Sequence, residues 1–337
     1  MSTLRLFYAN ITLHWGFVVR IPGATAAQPA LAIAPPTTVV GAFAASLLRA
    51  LGYSEGNISK YFVNGSEKSQ KAPDTEAVLS PVFQNILDST IAASMGLHPQ
   101  SEGPGVGVTM EASRVLAVPY KTGGEERSKF KTKPYSPKFY GQGIPAALPV
   151  QAVGVAYAPS TVVDLVWVVD VNKLIEGLPK EDGRNIKVSD IDRIGLSVAY
   201  GVTRLGSKEG ICSVNVACYI EDPPTVNINK PFQAHTYVPV DCVEPQNVSL
   251  VSKIRLWNLK YEPTEYYAPR GTTLTLAYPP TSKYEIPHYI LRENCVAYRV
   301  VPDPNKCRKV HDLRNVESII AIGLRGEASE RKHSFVS

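Results

Sequence analysis

The stretch from Tyr120 to Tyr140 carries the clearest chemical signal in the sequence, YKTGGEERSKFKTKPYSPKFY. Six cations stand against two carboxylates there, which gives a local net charge of +4. Its cations are Lys121, Arg127, Lys129, Lys131, Lys133 and Lys138, and its aromatic rings are Tyr120, Phe130, Tyr135, Phe139 and Tyr140. Since cations neutralise phosphates and flat rings stack on unpaired bases, the composition suits contact with single-stranded RNA. A solvated basic loop with its aromatic rings packed beneath it fits the composition equally well.

A second candidate phosphate-binding stretch is TRLGSKEG, from Thr203 to Gly210. Its glycines can present backbone N–H groups to an anion, and Arg204, Ser207 and Lys208 add two cations and a hydroxyl. The spacing is not that of a Walker P-loop, so nucleotide hydrolysis is not supported. An ordinary loop between a helix and a strand is the simpler interpretation of these residues.

The six histidines show no spacing typical of a metal site, and no cofactor motif is present. His14, beside Trp15, could act as a general base or stack on a base, although a structural histidine at a strand break is more common. Metal-independent RNA cleavage needs a base for the 2′-OH and an acid for the leaving oxygen. His14, Lys121 and Tyr120 could supply these groups, but nothing in the sequence brings them together.

Bulk composition sets broad limits on the class of protein. The chain has 337 residues, 44% of them hydrophobic and 19% charged, and a net charge of +5, which permits a nucleic-acid partner without requiring one. Its five cysteines form no C-x-x-C pair, so we expect reduced thiols in a cytoplasmic protein. No secretory signal and no apolar run long enough to cross a bilayer is found, so no membrane partner is expected.

The N-terminal residues 4–51 predict a strand, a loop and a helix. Apolar residues over 4–19, interrupted at His14-Trp15-Gly16, predict a buried strand with a break. The prolines at 35 and 36 then precede a helix predicted over 38–51, with Thr37 or Thr38 as the N-cap. Gly41 in its first turn costs helix stability, which suggests that something closely approaches the backbone there.

Further along the chain, the patterns predict an alternating set of helices and strands. A polar excursion over 53–76 and an inserted helix over 79–95 precede strands over 108–120 and 162–171. A helix over 189–200, opened by a capping box from Ser189 to Asp192, leads to a strand over 211–220. The order is strand, helix, strand, strand, helix, strand, which predicts an α+β, RRM-like (ferredoxin-like) domain over 1–228. Its insertions lie at about 53–107 and 120–150, and a smaller β-rich domain follows over 229–337.

Two motifs resemble a known protein family. HWGF, followed by a Pro- and Ala-rich loop and APPTTVVGAFAASLLRALG, resembles the N-terminus of the fifth CRISPR-associated protein family. This family is the RAMP subunit of the type I Cascade surveillance complex, and the likeness is greatest to its archaeal type I-A branch. TRLGSKEG is similar to the same branch. The resemblance covers residues 13–52 and 204–210, and elsewhere it depends on the order of elements.

The resemblance implies a RAMP body with a protruding β-hairpin thumb at about 120–150 and a smaller C-terminal β domain. Such a subunit holds the 5′ handle of the crRNA, contacts the backbone RAMP subunit and the large subunit, and meets target DNA indirectly. The resemblance also implies that the segment 16–41 lines and borders the RNA site, with the N-terminus of the helix directed toward phosphate. The RNA-binding residues expected outside the thumb are His14, Trp15, Arg20, Thr37, Thr38, Gly41, Arg204, Ser207 and Lys208.

Catalysis is not implied for the type I-A branch, where a separate endonuclease is expected to process the precursor RNA. We therefore expect a non-catalytic RNA-binding subunit with no metal and no cofactor. Two alternatives stay open on the residues alone. One is a metal-independent endoribonuclease, as in the type I-C branch of the family. The other is a protein-only scaffold whose aromatic rings pack against another subunit.

Overall fold

The computed structural model describes residues 3–19, 27–28, 31, 33–53, 81–99, 109–117, 150–178, 185–206, 210–228, 230–257, 273–279, 285–308 and 316–324. Its α-helices are α1 (Pro36–Ala50), α2 (Pro81–Ser89), α3 (Val171–Gly177) and α4 (Val188–Tyr200). The strands of the N-terminal two thirds are β1 (Leu4–Leu13), β2 (Gly16–Phe17), β3 (Ala27–Gln28), β4 (Thr90–Leu97), β5 (Thr109–Ala117), β6 (Val150–Tyr157), β7 (Val162–Asp170) and β8 (Cys212–Glu221). The remaining strands are β9 (Phe232–Gln233), β10 (Val238–Pro239), β11 (Val243–Pro245), β12 (Ser252–Trp257), β13 (Thr273–Tyr278), β14 (His288–Leu291), β15 (Cys295–Arg299), β16 (Cys307–Arg308) and β17 (Ile320–Leu324).

A five-stranded antiparallel sheet, which we call the main sheet, forms the centre of the described structure. Its strand order is β16-β8-β1-β7-β4. The four helices pack on one face, where the rings of Phe7 and Trp167 stack with their centroids 4.9 Å apart. On the other face, Tyr8 and Val166 pack against C-terminal residues such as Tyr298. Because both faces are covered, β1 and β7 are buried along nearly their whole length.

Several predicted elements are confirmed. The strand predicted over 162–171 is β7 and the strand over 211–220 is β8. The strand predicted over 108–120 is present as β5, but its predicted place as the second strand of the order is wrong, because β5 pairs with β6 outside the main sheet and β4 occupies that place. The broken first strand is also confirmed as β1 and β2, with His14 and Trp15 between them.

The helix predicted over 79–95 is wrong in its second half. Helix α2 ends at Ser89, and the chain continues as β4, an outer strand of the main sheet. Both the Ser89 and Thr90 hydroxyls donate to the Ile86 carbonyl, and Thr90 Oγ1 accepts a bond of 2.9 Å from the indole of Trp167. These bonds end the helix against the sheet. An apolar stretch buried on both sides has no period that separates strand from helix, which explains the error.

The start of α1 also differs from the prediction. Pro35 is the N-cap and Pro36 the first helical residue, so neither Thr37 nor Thr38 caps the helix. Proline is tolerated there because its missing N–H is one that the first helical turn leaves unpaired in any case. At Gly41 an added Cβ would meet only the ring carbons of Phe83, at 3.9 Å. No described residue therefore makes the close approach that this glycine suggested.

Helix α4 begins at Val188 with a different cap from the predicted one. The side chain of Asp190, not Asp192, accepts the backbone N–H of the N-cap residue, Lys187, at 3.0 Å. Asp192 instead forms an ion pair of 2.8 Å with Arg5 of β1. The carboxylate that resembled a capping residue therefore joins the helix to the sheet.

The expectation of reduced thiols is wrong for four of the five cysteines. Disulfides join Cys218 to Cys307 and Cys242 to Cys295, and Cys212 is a buried free thiol. Cys218 and Cys307 are direct partners across β8 and β16. The paired residues are 89 and 53 positions apart in sequence, so spacing gave no sign of the pairing. Among the described helices, none is long and apolar enough to cross a membrane.

Replacing Cys218 and Cys307 together by alanine should lower the free energy of unfolding by about 2–4 kcal/mol, because the bond restricts the unfolded chain. Urea unfolding measures this loss, and Cys212→Ala is the matched control outside any disulfide. Thiol alkylation of the unfolded wild-type chain should label one cysteine before reduction and five after it. Five labelled thiols before reduction would contradict the pairing.

Candidate functional site

The HWGF motif lies where the chain leaves the main sheet and enters a second, smaller sheet. Gly16 has a φ of +145°, and an added Cβ would overlap the carbonyl oxygen of Ala156, so only glycine fits. In β2, Gly16 and Phe17 pair with Tyr157 and Ala156 of β6, and Phe17 is buried. The motif therefore fixes the end of β1 to the base of β6.

The two family-like motifs lie side by side, although nearly the whole N-terminal two thirds of the chain separates them. Val18 forms a parallel bridge with Gly206, which has a φ of +79° and no room for a Cβ beside the Val18 carbonyl. Arg204 bridges to Ile211, and the backbone N–H of His14 donates to the Ile211 carbonyl at 3.2 Å. His14 and Arg204 are both exposed, as is Ile211, whose side chain is 54% exposed.

Strands β5 and β6 form an antiparallel hairpin that adjoins the HWGF motif. Their register runs from Thr109 opposite Tyr157 to Ala117 opposite Val150, with a bulge between Glu111 and Arg114. Residues 118–149 join the paired ends at Ala117 and Val150, and this segment contains all the cations of the basic stretch. From Tyr157 to Val150 a strand extends roughly 23 Å at about 3.3 Å per residue. The basic stretch is thus attached at the hairpin end remote from Gly16.

The remaining site predictions divide between two groups. On α1, Thr37 is buried, whereas Thr38 and Gly41 are half-buried, and Trp15 is half-buried between β1 and β2. The predicted RNA-binding residues outside the described part of the chain are Arg20, Lys121, Arg127, Lys129, Lys131, Lys133, Tyr135, Lys138, Tyr140, Ser207 and Lys208.

A buried polar cluster lies on the opposite face of the main sheet from the helices. At its centre is Asp164 of β7, which is fully buried. Its Oδ1 accepts bonds from the Tyr8 hydroxyl at 2.7 Å and the Asn10 amide at 2.8 Å. Its Oδ2 lies 2.7 Å from both His98 Nδ1 and His235 Nε2. The cluster therefore joins β1, β7, the residue after β4 and a segment of the C-terminal part.

The two histidines decide the charge of Asp164. Burial by itself would raise the pKa of this carboxyl, but hydrogen bonds and positive charge from His235 and His98 hold that pKa well below its usual range. Burial would likewise lower the pKa of His98, yet its hydrogen bond with Asp164 and the carboxylate charge outweigh burial and raise it. Asp164 thus remains ionised in the interior.

The residues after His235 fasten the C-terminal part to the outer edge of β4. Thr236 bridges to Gly96, where an added Cβ would overlap the His235 carbonyl, and the Thr236 hydroxyl donates to Ile320 at 2.6 Å. His235 Nδ1 lies 2.7 Å from the Ser318 hydroxyl. Sequence reasoning missed this cluster. Its one readable signal was Asp164 inside the apolar run VVDLVWVVD, because a buried charge requires partners.

Comparison with known proteins gives fold likenesses only. No protein-family model matches the chain, and no curated protein matches it. The fold is similar to the crystal structure of a CRISPR protein from Archaeoglobus fulgidus, at 12% identity and a TM-score of 0.47, over 95% of this chain and 100% of that one. It is also similar to a chain of a CRISPR RNA-guided surveillance complex, at 12% identity and a TM-score of 0.30, over 67% of this chain and 72% of that one. Both TM-scores are below 0.5, and these likenesses do not assign the chain to a family.

Replacing Asp164 by alanine should lower the free energy of unfolding by about 3–5 kcal/mol, since it leaves the buried donors of Tyr8, Asn10 and the histidines without their acceptor. Urea unfolding of the full chain measures the loss. Asp241→Ala, at an exposed aspartate of the C-terminal part, is the control, and it should stay within about 0.5 kcal/mol of wild type. Equal losses in the two variants would show that the buried carboxylate has no special role.

Proposed function

We propose that this chain is a non-catalytic crRNA-binding subunit of a type I-A CRISPR Cascade surveillance complex. In this role it holds the 5′ handle of the crRNA and docks a backbone RAMP subunit and the large subunit, in the cytoplasm of an archaeal cell. The proposal starts from the two family-like motifs, HWGF with its following helix and TRLGSKEG.

The contact between the two motifs is the observation that carries the proposal. Val18 and Gly206 are bridged, and neither Gly16 nor Gly206 has room for a side chain beside its neighbour. Close backbone packing explains why glycine stands in both motifs. His14 and Arg204 are exposed and both contact Ile211 through their backbones. An imidazole can stack on a base and a guanidinium can bind phosphate, so these two side chains suit the proposed RNA contact.

The main sheet supports the proposed RRM-like body. Across the main sheet four of the strands lie in the order β8-β1-β7-β4, and every neighbouring pair is antiparallel. Numbered by their place along the chain, this is the order 4-1-3-2. That is the strand order of a ferredoxin-like βαββαβ unit. Its second strand is β4, so the β5–β6 hairpin is an insertion between strands two and three, where the thumb is proposed.

Salt dependence of RNA binding tests the proposed thumb. Replacing residues 118–149 by Asn-Gly, which suits a tight turn between the paired Ala117 and Val150, removes a net charge of +4. For single-stranded RNA the slope of log K against log salt should become less steep by roughly 3, at about 0.7 per phosphate contact. A Lys253→Gln control, at an exposed cation of β12, should bind like wild type. An unchanged slope in the deletion variant would contradict an RNA-binding thumb.

Gly41 tests the proposed phosphate-facing helix. Gly41→Asp should weaken binding of handle RNA by roughly tenfold or more, about 1.4 kcal/mol, because it adds a negative charge beside phosphate. Gly41→Ala is the matched control, since a Cβ there makes only ordinary contact with Phe83. Filter binding with handle RNA and scrambled RNA measures both. Equal affinity of the two variants for the handle would remove Gly41 from the site.

Incubation with repeat RNA in EDTA tests the non-catalytic assignment. The RNA should remain intact, because the type I-A branch is expected to leave processing to a separate endonuclease. A discrete product with a cyclic phosphate, lost in His14→Ala or Lys121→Ala, would favour the endoribonuclease instead. Assembly with partner subunits that is insensitive to salt and free of RNA would favour the protein-only scaffold.

A further inference from the structure

We propose that His98, Asp164 and His235 form a binding site for one divalent transition-metal ion that fastens the C-terminal part to the main sheet. A nitrogen of each histidine and a carboxylate oxygen of Asp164 lie within 4.8 Å of one another. The three residues come from distant parts of the chain and meet only in the folded state. The inference is independent of any RNA-binding role.

The donor atoms select the class of ion. Two imidazole nitrogens and one carboxylate oxygen are the ligand set of many three-residue zinc sites, with the fourth position left to water. Magnesium and calcium prefer sites made wholly of oxygen ligands, and copper(I) prefers sulfur. The ion expected at this site is therefore zinc or a neighbouring divalent metal of the first transition row.

Neighbouring residues hydrogen-bond to Asp164 and His235 and orient them, as the hydrogen-bond partners of metal ligands do in known metal sites. Tyr8 and Asn10 occupy Oδ1 of Asp164, which leaves Oδ2 to face both histidines. Ser318 holds Nδ1 of His235, so that its Nε2 points to the cluster. Metal-binding histidines commonly bond their outer nitrogen in this way, which fixes the ring.

The site needs only a small adjustment to accept an ion. Both nitrogens now lie at hydrogen-bond distance, 2.7 Å, from Asp164 Oδ2. An ion with bonds of about 2.0–2.1 Å in a tetrahedron spaces its ligand atoms roughly 3.3 Å apart. The rings therefore have to withdraw by roughly 0.6 Å. The His98 side chain is 11% exposed, which gives an ion and a water ligand access from the surface.

A purely hydrogen-bonded cluster is the competing explanation, and it would also stabilise the fold. The two explanations differ in one measurable respect. Only a metal site makes stability depend on the free metal concentration, because an ion that binds the folded chain alone shifts the unfolding equilibrium.

The test uses the full chain without a histidine tag, stripped with EDTA and then titrated with Zn²⁺. We expect uptake of one ion per chain and a thermal midpoint that rises by roughly 4 °C at a zinc concentration about 100-fold above Kd. Substituting Co²⁺ should give the visible absorption bands of a tetrahedral site. His98→Ala and His235→Ala should lose both responses, whereas His288→Ala, at an exposed histidine, should keep them.

Two results would overturn the proposal. One is a wild-type chain whose metal content and thermal midpoint do not respond to zinc, which would assign the cluster to hydrogen bonding alone. The other is zinc uptake that His98→Ala leaves unchanged, which would place the ion elsewhere. His98 lies at the surface side of the cluster, so this variant remains informative even if His235→Ala fails to fold.

Discussion

One buried carboxylate constrains much of this structure. Asp164 is ionised near the start of β7, a strand that is covered on both faces, and an unpaired charge there would cost several kcal/mol. Four donors from three parts of the chain satisfy it: Tyr8, Asn10, His98 and His235. Because those donors belong to β1, the end of β4 and the C-terminal part, satisfying the charge also specifies how these parts fit together.

The same strand β1 links this cluster to the candidate RNA surface. Tyr8 and Asn10 of β1 contact Asp164. The strand ends three residues after Asn10, at Leu13, and His14 follows. The backbone N–H of Leu13 donates to Thr161, and β2 then pairs with β6. The position of β1 therefore sets where the HWGF motif meets Gly206 and where the β5–β6 hairpin begins. The contacts of Tyr8 and Asn10 with Asp164 therefore help to position the surface that follows the interruption between β1 and β2.

How far the sequence predicts this structure depends on the range of the interactions involved. The apolar, β-branched run of β7 and the helical spacing of α4 are local patterns, and they predicted both elements. Strand β4 was missed because its burial depends on pairing with β7, and the local hydrophobic periodicity carries no information about that pairing. The disulfides and the histidine–aspartate cluster were missed for the same reason. In the candidate site, the motifs were found from sequence, but the bridge between Val18 and Gly206 required the fold.

The central claim is that this chain holds the 5′ end of a crRNA within a larger complex. Sequencing the 5′ ends of RNA that copurifies with the full chain from its native host tests that claim most directly. The account predicts RNA of many internal sequences that shares one defined 5′ end derived from a CRISPR repeat. Copurified protein subunits without RNA, or RNA with scattered 5′ ends, would contradict it.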